Sequence, residues 1–303
     1  MPFPPGGPTD GMARIISDRL GAVLGQSIVV ENHGGGAGGS VGAKLVAAAD
    51  PDGYTILITP AGSLTIGPAV HKNIGYDPAK AFAPVGLLIE TPNIISVHPD
   101  LPAKSLAEVV AYATANPGKI NWGSQGFGTA PHLLVEMLKL ETGVNIVHVP
   151  YRGTAPLLAA IVAGEIQMIA DPATTSLPFI QSGKLRPLAI AGGERFSQLP
   201  DVPTTPEAGY PTLQAPFWLG VVAPAATPGW TSRCGTALSS RPRHRSRLCD
   251  GSTPNLSKSW TCPISARVSP IRARMSQGAR LPGLTCSCAG NPPAGVRLSG
   301  RRA

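Results

Sequence analysis

The sequence predicts an α/β protein whose parallel-rich sheets are flanked on both faces by helices. Two observations predict it: apolar runs of strand length alternate along residues 8–190 with longer stretches whose apolar residues recur at helical spacing, and the strands themselves are apolar. A third bounds how far it extends. Residues 1–229 of the 303-residue chain carry 12 Lys+Arg against 16 Asp+Glu, whereas residues 230–303 carry 13 basic residues and a single acid, Asp250. The overall charge of +8 therefore belongs to the final segment.

Taken in order, Thr9 and Asp10 are expected to cap a first helix in which Met12, Ile15, Ile16, Leu20, Val23 and Leu24 recur at helical spacing until Gly25. Ile28-Val29-Val30 reads as a short buried strand, a glycine run follows at 34–39, and 41–49 reads as a second helix stopped by Asp50-Pro51-Asp52-Gly53. Further strands are expected at 54–59, 94–97, 120–122, 144–149, 166–170 and 185–190. Helices fall between them: one from Ser105, with Glu108 completing a capping box, one over 129–140, one over 155–163 and a short one near 177–181. In such sheets ligands sit at the carboxyl ends of strands, against helix starts whose first N–H groups are unpaired and carry about half a positive charge. The loops that leave a strand and enter a helix are the informative ones.

Composition excludes several classes. No stretch approaches the ~18 apolar residues that span a bilayer, and a charged fraction of 14% without Lys/Glu heptads argues against a coiled coil. Residues 1–10 show neither the basic nor the apolar region of a secretory signal. Beyond Gly229 there is no sustained hydrophobic period, all five cysteines are found there, and 12 of its 13 basic residues are Arg; this segment is expected to be disordered or translated out of frame. A nucleic-acid arm at Arg241, Arg243, Arg245 and Arg247 lacks interleaved aromatics, and a zinc knuckle at Cys286-Ser287-Cys288 lacks the usual two-residue spacer. No nucleic acid, metal or other cofactor is expected.

The strand-exit loops offer binding groups rather than reactive ones. Phe3-Pro4-Pro5-Gly6-Gly7-Pro8-Thr9-Asp10 is a stiff loop at the mouth of a helix, to be weighed against an ordinary loop. Gly123-Ser124-Gln125-Gly126-Phe127-Gly128-Thr129 enters the helix containing His132, and its N–H groups, with the Ser124 and Thr129 hydroxyls, could cradle a carboxylate; His132 more often packs than reacts. No Gly-Lys-Ser/Thr follows, which removes a nucleotide P-loop. Tyr151 and Arg152, before Gly153, bring a phenol and a guanidinium that either pair with a carboxylate or stay on the surface. Asp171 either accepts from a ligand or caps its turn. The alternative is an enzyme built on residues 34–42. That segment fits a dinucleotide fingerprint, but Thr59-Pro60-Ala61 stands where the ribose-binding acid belongs. It also fits a serine-hydrolase elbow at Gly38-Gly39-Ser40-Val41-Gly42, but no histidine follows in workable order within residues 149–229.

Four ordered motifs carry a family resemblance: Phe3 to Asp10 as quoted, Gly123-Ser124-Gln125-Gly126-Phe127-Gly128-Thr129-Ala130-Pro131-His132, Val149-Pro150-Tyr151-Arg152-Gly153, and Gly183-Lys184-Leu185-Arg186-Pro187-Leu188-Ala189. Together with Gly220-Val221-Val222-Ala223-Pro224-Ala225, they resemble the substrate-binding proteins of tripartite tricarboxylate transporters, the Bug family, over residues 2–228. The resemblance implies a two-domain periplasmic-binding-protein fold of type II closing on a ligand around a hinge, with residues 1–92 and 216–229 in the first domain, 93–215 in the second and 230–303 outside both. It implies a periplasmic, monomeric receptor that hands a small organic carboxylate to the membrane components of the transporter, with no catalysis. Loops equivalent to Phe3–Asp10 and Ser124–Thr129 would grip the carboxylate through N–H groups and waters, with Ala61, Ser63 and Asp171 at other pocket positions. Family members begin with a signal peptide and a strand before the Pro/Gly loop and continue past Pro228 with amphipathic helices. Without these the first domain is expected to be incomplete at both ends, with apolar surface uncovered and low stability.

Overall fold

The computed structural model describes residues 1–228, and the expectations for the basic, cysteine-bearing segment lie outside the described residues. Helix α1 is Pro8–Leu24, α2 is Ser40–Ala47, and strand β1 is Leu57–Pro60. A π-helical turn, Gly62–Ile66, leads into the short α3 (Gly67–Val70) and α4 (Pro78–Ala81). Strand β2, Phe82–Thr91, is separated by Pro92 alone from β3, Asn93–Val97. Then α5 (Leu106–Ala115), β4 (Asn121–Ser124), α6 (Ala130–Thr142), β5 (Val147–Pro150), α7 (Thr154–Val162), β6 (Met168–Pro172), α8 (Ala173–Gln181) and β7 (Arg186–Ile190) alternate before β8, Phe217–Pro224.

These strands make two sheets, ordered β1-β8-β2 and β5-β4-β6-β3-β7. The parallel arrangement is found in β5-β4-β6, where α6 and α7 supply the crossovers. Strand β3 runs antiparallel to β6 and β7, and both ladders of the smaller sheet are antiparallel. The chain passes between the sheets twice, at Thr91-Pro92-Asn93 and at Ala215-Pro216-Phe217, and the Asn93 Nδ2 donates to the Ala215 carbonyl at 2.7 Å. Proline at each crossing holds its own φ near −65° and biases the preceding residue to extended backbone.

Burial follows the strand period. In the β1–β8 ladder Leu57 pairs Val222 and packs with Ala43 and Val46 of α2. The adjacent pair, Ile58 and Val221, packs with Ala13 of α1 on the opposite face. In the larger sheet Ile95, Val97 and Trp122 pack with Leu106 and Val109 of α5 and Leu134 and Leu138 of α6. Ile169 of β6 meets Leu157 and Ile161 of α7 on the other face. Each such fully buried branched side chain contributes about 1.5–3 kcal/mol, so the five-stranded unit holds most of the core.

The smaller unit departs most from the sequence reading. The α1 cap is Gly7 with Pro8 in the first helical position, not Thr9 or Asp10. Asp10 instead turns back to accept from the Gly6 N–H at 3.1 Å and Asn32 Nδ2 at 3.0 Å, and pairs with Arg14. Burial alone would raise its carboxyl, but these partners outweigh it and hold it below its ordinary value. The buried face of α1 is Thr9, Asp10, Ala13 and Ser17, whereas Ile15, Val23 and Leu24 of the expected apolar stripe are more than half exposed. Ile28-Val29-Val30 joins no ladder among the described residues; Val30 packs against Ala13, Ile58 and Val221, and Val29 is exposed. Strand β2 had no sequence signal: two register shifts against β8 break its alternation. At α5 the capping box is half formed, with Ser105 Oγ accepting the Glu108 N–H at 3.2 Å while the Glu108 carboxylate takes the Lys104 N–H at 2.8 Å.

Candidate functional site

A cleft of about 600 Å³, its open mouth included, lies among the loops at the strand ends of both sheets. From the smaller unit it is lined by Phe3, Pro4, Gly7, Pro8 and Thr9, by Pro60 to Gly62 at the end of β1, and by Pro216, Phe217 and Trp218. From the larger unit come Asn93 and Pro172, which pair across β3 and β6, then Gln125, Thr129 to Pro131, and Gly153 with Thr154.

Four helix starts meet here. Gly7 precedes α1, Thr129 precedes α6, Gly153 precedes α7 and Pro172 precedes α8, and all four residues line the cleft. Proline in the first turn of α1 and α6 fixes φ for the helix where no N–H partner is needed. Among the described residues no Lys, Arg, His, Asp or Glu lines the cleft. The wall is therefore polarised by the positive ends of the helix dipoles, each favouring an anion by about 0.3–1 kcal/mol, and by the neutral side chains of Thr9, Asn93, Gln125, Thr129 and Thr154.

The structure divides the residues singled out from sequence into two sets. Phe3, Gly7, Thr9, Ala61, Gln125, Thr129 and Gly153 line the cleft. The others stand outside the lining, several of them directly behind it. Asp171 is fully buried, with Gln125 Nε2 donating to its Oδ1 at 2.5 Å and the Thr175 hydroxyl donating to its Oδ2. Burial pushes the Asp171 carboxyl up to about 7 against these two bonds. Its role in the geometry is to orient Gln125.

The glycine loop before α6 is held from within. The Gly126 N–H donates to Ser124 Oγ at 3.1 Å, the Thr129 hydroxyl to the Gly126 carbonyl at 2.8 Å, and the Gly128 N–H to His132 Nδ1 at 3.3 Å. Two of the N–H groups expected to form a cradle are thus spent inside the protein, as is the Gly6 N–H on Asp10. His132 and His148 lie 4.5 Å apart between ring centroids, Phe127 edges onto both, and His148 Nε2 bonds Ser124 Oγ at 2.6 Å. Burial, then the neighbouring His132, pushes His148 down to about 4; burial also lowers His132. The Tyr151 N–H donates to the Ser124 carbonyl at 2.8 Å, and Arg152 is exposed. Ser63 is buried against Thr59, and Pro5 lies on the loop without lining the cleft.

Residues 34–42 join the two units instead of lining the cleft. The Gly38 N–H donates to the Phe127 carbonyl at 2.7 Å, and a Cβ on Gly38 would fall 2.4 Å from the Gly62 oxygen and 2.7 Å from the Gly128 oxygen. Ser40 is simply the first residue of α2. Asn93, Thr154, Pro216, Phe217 and Trp218 were missed by sequence reasoning. Pro216 marks the crossing at which Phe217 and Trp218 join the wall, whereas Asn93 and Thr154, the latter the first residue of α7, carried no signal of their own.

Two sheets joined by two crossings, with helix starts at a shared cleft that no charged side chain among the described residues lines, are the arrangement of a solute-binding receptor. The comparisons with known proteins make this specific. Residues 12–240 match the tripartite tricarboxylate transporter family receptor, TctC, and the chain belongs to this family. It is 38% identical over 229 residues to a UPF0065 protein in the tcbD-tcbE intergenic region of Pseudomonas sp. strain P51, covering 75% of this chain and 68% of that protein. It is 36% identical over 228 residues to BugT of Bordetella pertussis, covering 75% and 70%. Among solved structures it resembles a periplasmic transporter at 44% identity with a TM-score of 0.71, covering 75% of this chain and 76% of that one. Rpa4515 of R. palustris with adipate matches at 38% identity with a TM-score of 0.72, over 75% and 76%. MatC of Rhodopseudomonas palustris with bound malate matches at 37% with a TM-score of 0.71, over 75% and 77%. The two-domain periplasmic-binding-protein fold follows, and this family's members are receptors.

Proposed function

We propose that this protein captures a small organic carboxylate in the cleft and delivers it, in the periplasm and as a monomer, to the membrane components of a tripartite tricarboxylate transporter. The observation that carries the reading is the meeting of four helix starts in a wall without a charged side chain. Such a wall favours one negative charge while leaving it free to depart, as reversible capture requires; micromolar affinity needs only about −8 kcal/mol. The adipate and malate held by two of its structural relatives support the same ligand class.

In this reading residues 1–92 and 216–229 form one domain and 93–215 the other, hinged at Pro92 and Pro216. Thr9, Gln125, Thr129 and the backbone at Gly7, Ala61 and Gly153 contact the ligand, while Phe3 packs on it. Asp10, Asp171, Ser124, Gly126, Gly128, His132 and Tyr151 hold those contacts in place. No bond is made or broken and no cofactor is used. The test is a thermal-shift screen of the full chain against mono- and dicarboxylates, followed by calorimetry of the best acid. At least one acid should raise the melting temperature and bind at one site; a panel in which none does would remove the proposal.

A further inference from the structure

One wall group of the cleft has a hydrogen bond left to make. Asn93 opens β3 directly after the Pro92 crossing, lines the cleft and is fully buried. Its Nδ2 donates to the Ala215 carbonyl on the other crossing at 2.7 Å, which fixes the orientation of the amide, since a flip would set oxygen against oxygen. The Asn93 Oδ1 is closed off from solvent and has no partner among the described residues. A buried acceptor without a donor is costly, and of the three such atoms among the described residues, the others being Ser96 Oγ and Trp122 Nε1, only this one belongs to a cleft residue.

We infer that Asn93 Oδ1 is the acceptor subsite for a hydroxyl or N–H on the ligand, so that the preferred substrates are hydroxy-, amino- or amido-carboxylates rather than their unsubstituted counterparts. This rests on the carboxylate reading proposed above and adds the second point of recognition. The two points have opposite chemistry. Helix starts offer donors and attract the carboxylate, whereas Asn93 Oδ1 offers lone pairs and repels any group that has only lone pairs, such as a second ionised carboxylate at that position. Pro172, Pro216, Phe217 and Trp218 line the cleft beside it, and Gln125, tied through Nε2 to Asp171, is the other amide of the lining. Because the same amide ties the two crossings together, a ligand bonded to it also touches the place where the chain passes between sheets.

The experiment is calorimetry of the full chain with matched pairs of acids that differ by a single hydroxyl, malate with succinate and 4-hydroxyphenylacetate with phenylacetate, together with the corresponding pair carrying an amino group. In at least one pair the substituted acid should bind about ten- to a hundredfold tighter, the size expected when a site built for a hydrogen bond meets an analogue lacking it. Asn93→Leu, which keeps the heavy-atom branching and removes the carbonyl acceptor, should bring that ratio to about one; the melting temperature shows whether the variant is folded. If Asn93→Leu does not fold, Asn93→Ala takes its place, and a ratio kept at its wild-type value in the folded variant overturns the inference. Equal binding within every pair that binds overturns the inference and leaves the carboxylate reading standing. Failure of every acid, substituted or not, overturns the carboxylate reading and the inference with it.

Discussion

Replacing Gly38 by Ala tests whether the glycine run is a junction between the two units. Gly38 has φ +59°, ψ 20°, a left-handed conformation that costs a residue with a Cβ about 1 kcal/mol. The added Cβ would also sit 2.4 Å from the Gly62 oxygen, 2.5 Å from its carbon and 2.7 Å from the Gly128 oxygen. All three are backbone atoms, so no side chain can swing aside, and Gly62 and Gly128 belong to different sheets' loops. Relief requires the two loops to separate, which breaks the 2.7 Å bond from the Gly38 N–H to the Phe127 carbonyl. Overpacking of this kind costs about 1–3 kcal/mol and the lost bond about 1 more. Ligand affinity, measured by calorimetry with the acid that most raises the melting temperature, should fall by about 30- to 1000-fold. Gly25→Ala is the control. Gly25 also has positive φ, +65°, but a Cβ there meets nothing within 4 Å. It should lose about 1 kcal/mol of stability and keep its affinity. Affinity of Gly38→Ala within threefold of wild type would refute the junction.

Two titrations, of the buried Asp171 and the half-buried His148, oppose each other and can be separated. Asp171 is at about 7 in the fold against 3.8 free, so the fold binds its proton more tightly and stability falls by up to about 4 kcal/mol as pH rises from about 4 to 7. His148 is at about 4 against 6.5, so stability is lost as pH falls through that same window. In urea melts, Asp171→Asn should show stability rising between pH 4 and 6.5, and His148→Gln stability falling; equal slopes in both variants would discard this account. Ile95→Ala, in the core between the larger sheet and α5, should cost about 2–5 kcal/mol by the same melts, and a loss below 1 kcal/mol would mean that this core is looser than its burial indicates. Ser105→Ala should cost about 0.5–2 kcal/mol through the lost bond to the Glu108 N–H, and an unchanged urea midpoint would show that the Lys104–Glu108 half of the box suffices.

The larger unit was legible because its elements obey local rules: Ser105 caps, and short runs at 120–122, 144–149, 166–170 and 185–190, separated by helical patterns, overlap β4 to β7. The smaller unit was less so. Its ladder partners are far apart in sequence, β1 pairing with β8 across more than 150 residues, and the bulges in β2 erase the period-2 signal. At the site, the loops were legible as Pro/Gly sequences at helix mouths, but which of their N–H groups remain free was not. That depends on Asp10 folding back onto Gly6 and on His132 reaching Gly128, contacts set by tertiary packing. Asn93 carried no local signal at all, since an asparagine before a strand is ordinary until its amide is seen tied to Ala215.

The central claim is that backbone charge at helix starts holds an acid group. The most direct measurement compares, by calorimetry on the full chain, the best-binding acid with its own amide, equal in shape but uncharged. Removing the charge from a site addressed by four helix dipoles, each contributing about 0.3–1 kcal/mol, should weaken binding by about ten- to a thousandfold. An amide that binds as tightly as the acid would contradict the account.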